Sequence, residues 1–218
     1  MRTIRVTGKA NMKIAPDQTK VNLTIRGFAM DYSEALAKSV EDTKHVKDAL
    51  AACGMDRKLL KTANFYTSEK TKRIEDQYGN VSYRHIGYDV THNLNFTFDN
   101  NNEKLGMIIY QLSRLSIKPR ISINYVVKNP EMYKAELIKQ AVHDAKSKAS
   151  VMAEASGLQL GEILNMDYSY ETVFLESREY MDIKCESLKC ITDGAFDVDI
   201  EPEDVNLADT VTIVWEIK

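Results

Sequence analysis

The chain has 218 residues, 44% of them hydrophobic and 28% charged, with a formal net charge of -3. That is enough apolar material for a core in one large domain or two small joined ones, and the slight acidity leaves no basic surplus to draw the protein onto nucleic acid or anionic lipid. No apolar run approaches the length of a membrane span.

The chain opens on a strand-like segment, without the apolar stretch and small-residue cleavage site of an export signal. As it stands this places the protein in the cytoplasm; removal of an export signal would place it in the periplasm or cell envelope. The three cysteines, Cys53, Cys185 and Cys190, are odd in number, which leans towards a reducing compartment.

In chain order, Ile4 and Val6 alternate with Thr3, Arg5 and Thr7 and predict a short half-buried strand from Thr3 to Gly8. Gly8 to Asp17 reads as a turn or bulge punctuated by Pro16-Asp17. Val21, Leu23 and Ile25 alternate strictly with polar residues, a strand with one wet face that Gly27 closes. Asp31 and Glu34 have capping-box spacing at the head of a long helix. Its expected inner stripe is Leu36, Val40, Thr43, Val46, Leu50 and Cys53, and Gly54 stops it. Leu59 to Thr67 is a predicted strand, the charged stretch 68–82 an exposed hairpin tip, and Tyr83 to Phe98 the returning strand. Tyr88, Val90, His92, Leu94, Phe96 and Phe98 share one face of it.

Asp99 to Asn102 caps a second helix with apolar positions Leu105, Ile108, Ile109, Leu112 and Leu115. A strand through Ile121, Ile123, Tyr125 and Val127 follows. The clearest helix comes next. Asn129 suits its N-cap and Pro130 its first turn. Ala135, Ile138, Val142, Ala145, Ala149, Met152 and Ala153 give it an alanine-rich stripe, and Gly157 ends it. Alanines there let the helix backbone lie close to whatever it covers, which is expected to be a sheet. A strand from Glu162 to Thr172 precedes an acidic excursion, 173–204, expected to hold at most one helical turn. Val211, Ile213, Trp215 and Ile217 then make a closing strand.

One-sided strands interleaved with helices predict an α+β fold. Its antiparallel sheet or sheets would carry three helices packed on one side, in a single domain spanning 1–218. The central order of strand, helix, two strands, helix and strand matches a ferredoxin-like split unit. Two fused βαβ-type subdomains are a variant of the same plan.

The chemistry is sparse. Asp197, Asp199, Glu201, Glu203 and Asp204 offer hard oxygens at alternate places, but Pro202 stands where a calcium loop needs glycine. A solvated acidic loop is the favoured reading. Cys185 and Cys190 have neither redox nor zinc-knuckle spacing, so free thiols or a local disulfide are expected. His92, on an apolar strand face, reads as a hydrogen-bonded core residue before it reads as a catalyst. His45, His85 and His143 fall on expected exposed faces. Tyr168, Tyr170 and Tyr180 would either form a binding surface or pack the excursion down. No catalytic, cofactor-binding or metal residue is assigned, and no cofactor is expected.

Taken in order, several segments resemble the SIMPL-domain family, whose bacterial members include periplasmic immunogenic proteins. Ile4-Arg5-Val6-Thr7-Gly8 with Ala15-Pro16-Asp17 is similar to the family's VxGxG…PD opening. Ser33-Glu34-Ala35 and Cys53-Gly54-Met55 up to Lys61-Thr62 resemble its first helix and next strand, and Ile86-Gly87-Tyr88 its central GY strand. Ala141 to Ala149 is similar to its AxxDAxxKA helix, and Ala155 to Gly161 to the AxxxGxxLG that ends it. Ile200-Glu201-Pro202 resembles the I-x-P-G step before the last strand. Ala10 replaces the second glycine of the opening, and Glu203 the glycine after Pro202.

The resemblance implies an α+β fold and no established catalytic activity, with no catalytic residues to carry over. It also implies association with stress protection, self-assembly and, in animals, a kinase partner. The sequence therefore predicts a non-enzymatic homo-oligomer or protein-binding module, with neither nucleic acid nor a membrane span among its partners. An enzyme acting on a small molecule or metal near His92 is the alternative.

Overall fold

A computed structural model describes residues 2–75, 78–168 and 200–218 fully, and residues 181–184 as backbone. It has an α+β fold of eight described strands in two sheets, with three described α-helices. No described helix is long and apolar enough to cross a membrane. The chain divides into two compact units.

One unit comprises Gln18–Tyr125 and Arg178–Glu201. Its strands are β2 (Gln18–Ala29), β3 (Lys61–Glu75), β4 (Val81–Asp99), β5 (Arg120–Val126) and β7 (Met181–Lys184), in the spatial order β3-β4-β2-β5-β7. The first four, with helices α1 (Tyr32–Ala52) and α2 (Asn102–Ser113), form the expected ferredoxin-like split unit. Val21, Leu23 and Ile25 of β2, Leu94, Phe96 and Phe98 of β4, and Ile121 and Ile123 of β5 face one way. They share a core with Val46 and Leu50 of α1 and with Leu105, Ile108, Ile109 and Leu112 of α2. Both helices start on side-chain caps: Asp31 accepts from the Ser33 N–H, and Asn101 from the Lys104 N–H at 2.7 Å.

The α1 stripe differs from expectation. Its buried positions are Ala35, Ser39, Asp42, Val46 and Leu50, whereas Val40 is 72% exposed. Two polar residues thus lie inward where the apolar pattern pointed one residue further on. Gly27 lies within β2, which runs on to Ala29. A short 3-10 turn at Arg57–Leu59 precedes β3. β3 and β4 pair from Lys61↔Asn95 to Glu75↔Val81, so their ladder runs through most of 68–82.

The other unit comprises Met1–Asp17, Val126–Ser177 and Pro202–Lys218. Its sheet has the order β1-β8-β6, from β1 (Arg2–Ile14), β6 (Leu160–Asp167) and β8 (Val205–Ile217). β8 is central and pairs antiparallel with β1 along its whole length, from Arg2↔Ile217 to Ile14↔Val205. Helix α3 (Pro130–Ala155) covers one face. Its buried stripe is Leu137, Ala141, Ala145, Ala149 and Ala153, packed on Val6, Ala10, Leu207, Val211, Ile213 and Trp215. Ala135 and Met152, expected inside, are exposed. Asn129 stands at the N-cap without a side-chain capping bond. Gly157, at φ +68°, closes the helix as expected, with the Leu158 N–H bonded to the Ala153 carbonyl.

β1 is one unbroken 13-residue strand, so the turn expected from Gly8 onward is confined to residues 15–17. Between 173 and 199 the described element is the strand β7; the rest of the expected excursion, with any helical turn in it, lies outside the described residues.

Candidate functional site

His92 is 9% exposed in the middle of β4. Its neighbours across the ladder are Ile25 of β2 and Phe65 of β3, and the Phe65 ring meets it edge-on at 5.1 Å. Both ring nitrogens are engaged. Nδ1 lies 3.0 Å from Thr43 Oγ1, and Nε2 lies 3.0 Å from Thr62 Oγ1. The Thr43 hydroxyl spends its proton on the Ser39 carbonyl at 2.8 Å, one helical turn back. It must therefore accept from the imidazole, which puts the ring proton on Nδ1 and makes Nε2 the acceptor for Thr62. Burial, helped by the Lys47 charge, lowers the His92 pKa below its ordinary 6.5. A neutral ring pinned between a helix and two strands ties α1 to the sheet. It presents no free nitrogen to a substrate.

His45, His85 and His143 are exposed, as expected. Among the described residues no three acidic, histidine or cysteine side chains are grouped to hold a metal. Glu201, Glu203 and Asp204 are exposed just before β8, whereas Asp197 and Asp199 lie outside the described residues. Cys185, Cys190, Tyr170 and Tyr180 also lie outside them. Cys53 is a free thiol whose pKa burial pushes up, which blunts its reactivity. Tyr168 is 38% exposed, and its hydroxyl donates to Asp209 Oδ2 at 2.8 Å. Asp209 is 6% exposed, and its Oδ1 accepts the Thr210 N–H.

The motifs that carried the family resemblance become joints of the structure. A Cβ on Gly8 would stand 1.9 Å from the Ala141 carbonyl oxygen and 2.5 Å from the Ala145 nitrogen. The backbones of β1 and α3 therefore touch, and only glycine beneath alanine allows it. Beside that contact Asp144 Oδ2 accepts the Lys9 N–H at 2.8 Å and pairs with Lys148 Nζ at 2.6 Å. These bonds, Lys148 first, hold the Asp144 carboxyl below the usual carboxylate range. Asp17 Oδ1 accepts the Lys128 N–H at 2.7 Å, pinning the turn after β1 to the head of α3. Gly87, at φ +146°, lies beneath the Phe28 ring, with the Ala29 carbonyl 2.4 Å from where its Cβ would be.

Residues 4–215 match SIMPL, described as a protein of unknown function (DUF541). The chain belongs to the SIMPL family. It is 26% identical over 163 residues to the 26 kDa periplasmic immunogenic protein of Brucella melitensis, a match covering 75% of this chain and 65% of that protein. It is 24% identical over 164 residues to the uncharacterized protein YggE of Edwardsiella ictaluri, covering 74% of this chain and 66% of that one. In this SIMPL chain the quoted motif residues Gly8, Asp17, Gly87, Ala145 and Asp144 all serve packing and backbone hydrogen bonding.

One of the concave features of the described surface is marked by no local sequence pattern. A cleft of about 420 Å³ opens on the side of the five-stranded sheet away from α1 and α2, between Arg26, Phe28, Tyr66 and Lys70. The signal was the alternation of long side chains on β2 and β3 with short ones on β4. It becomes legible only once the strands are paired.

Proposed function

We propose that this SIMPL chain is a non-enzymatic protein that works by protein binding, first of all to further copies of itself, and that it does so in the periplasm. The periplasmic setting rests on the name of its Brucella relative, and the link to stress protection rests on the family resemblance.

The observation that carries the reading is the edge of the five-stranded sheet at β3, which no other described strand covers. β3 is an edge strand of 15 residues, exposed everywhere except Thr67. Edge strands present unpaired backbone groups to any chain that can align with them. Around this edge and the hairpin turn, Phe65, Tyr66, Ile74 and Val81 leave apolar surface in water, with Tyr78 81% and Tyr83 71% exposed. Tyrosines of this kind are characteristic of protein interfaces. An enzyme centred on His92 finds no such support, because its ring is buried with both nitrogens bonded.

Light scattering on a sizing column across a concentration series tests the assembly. A discrete oligomer is expected, shifted towards monomer by Tyr78→Asp with Tyr83→Asp, two exposed changes that spare the core. A wild-type monomer at every concentration would sink the self-association reading.

A further inference from the structure

We propose that the cleft over β2, β4 and β3 binds a small organic monoanion with a flat apolar body, a molecule of the aromatic carboxylate class. This inference goes beyond the assembly reading, with which it shares Tyr66 of β3.

Register makes the cleft. Arg26, Thr91 and Tyr66 stand in one row across β2, β4 and β3, and Phe28, Asp89 and Ser68 in the next. Lys70 opposite Gly87 starts a third. Strands lie about 4.8 Å apart, so the first and last members of a row are separated by about 10 Å at Cα. Short residues occupy the floor and long ones rise at its margins, giving a concave surface of about 420 Å³. That volume lies within the usual range for small-molecule sites.

The polarity of the lining selects the ligand. Lys70 Nζ pairs with Asp89 Oδ1 at 3.1 Å and lies 5.0 Å from the centre of the Phe28 ring, so that ammonium is already neutralised. Arg26 makes no ion pair among the described residues, which leaves one uncompensated positive charge in the cleft. A guanidinium grips a carboxylate through two parallel hydrogen bonds. Phe28 and Tyr66, 39% and 48% exposed, offer ring surface beside it for the ligand's apolar part. The hydroxyls of Ser68 and Thr91 make no side-chain bond among the described residues and can take a further polar group. A polyanion fits less well: with Lys70 and Asp89 paired, the second negative charge of a phosphate ester or nucleic-acid backbone would find no cation left over in the cleft. A monoanion needs Arg26 alone.

The test is a titration of the full chain with phenylacetate, followed by amide NMR, beside the neutral ring analogue phenylethanol. Saturable shifts are expected at Gly27, Ser68, Asp89 and Thr91, with a Kd of about 1 mM or tighter. Phenylethanol should bind about tenfold more weakly or not at all, and so should phenylacetate to Arg26→Gln, a surface change that leaves the core intact. Shifts that do not saturate, that cluster elsewhere, that are matched by the alcohol, or that persist unweakened in Arg26→Gln would each overturn the proposal.

Discussion

A methyl group at position 8 would have nowhere to go. Its nearest neighbours would be backbone atoms of α3, which cannot swing aside as a flexible side chain can. Gly8→Ala must push the helix off the sheet, and we expect a loss of about 3 kcal/mol, the upper end for overpacking. Urea unfolding would read it; an unchanged midpoint would mean that α3 does not lie on β1 as described. From the sequence Gly8 looks like a turn residue, because glycine is the commonest local punctuation. Its actual role depends on a helix more than a hundred positions away, and no local pattern carries that. His92 was easier. A lone histidine on an apolar strand face suggested a satisfied core group, and its two threonine partners make it one. Its folded pKa is depressed, so the unfolded chain takes up the proton first as pH falls. The stability it contributes is intact above about pH 6.5, and is lost as pH drops from there through the folded value. Unfolding midpoints at pH 7.5 and 5.5 should therefore fall further in the wild type than in His92→Gln. Equal falls would remove the histidine from the account.

At the scale of elements, apolar periodicity located the three described α-helices and misplaced some of their faces. In α1 the pattern was drawn to Val40, which is exposed, and away from Ser39 and Asp42, which are buried. Polar residues inside a stripe look like the outer face until something is seen to cover them. Asp42 is the costly one. Burial dominates its raised pKa, opposed by Lys38 and His45. Folding therefore strains against the carboxylate at neutral pH, and the strain eases as pH falls through the raised folded value towards 3.8. Asp42→Asn should stabilise the protein by about 1 kcal/mol at pH 7 and remove that acid-side gain. Calorimetry at pH 7 and pH 4 would show both; a lower Tm at pH 7 would mean the carboxylate has a stabilising partner. In α3, Met152 was read as core because it is apolar, yet the inner stripe runs in steps of four through alanines. Close approach selected small residues there, and size is not what a hydrophobic period records.

For the whole molecule, the order of elements was enough to recognise the ferredoxin-like unit, because strand, helix, two strands, helix and strand is a common plan that fixes even the remote pairings of β2 with β4 and of Gln18 with Asp99. The second sheet was not legible in the same way. Its central strand β8 meets β1 across 205 positions at Thr7 and Thr212, and alternation says only that each strand has one dry face, never which partner lies beside it. The cleft on the larger sheet was hidden for the same reason.

That long-range pairing also governs how the protein can be made. β8 leaves the ribosome after both strands it must join, so β1 and β6 wait without their shared neighbour while the elements from β2 to β5 are already complete. Contacts so remote in sequence slow folding, and the waiting edges are exposed to off-pathway pairing. The remedy is topological. Arg2 and Ile217 face each other in the ladder, so the present termini could be joined by a short linker and new ones opened in the hairpin turn near Gly79. Such a permutant would turn the most remote described strand pairing, β1 with β8, into a local hairpin.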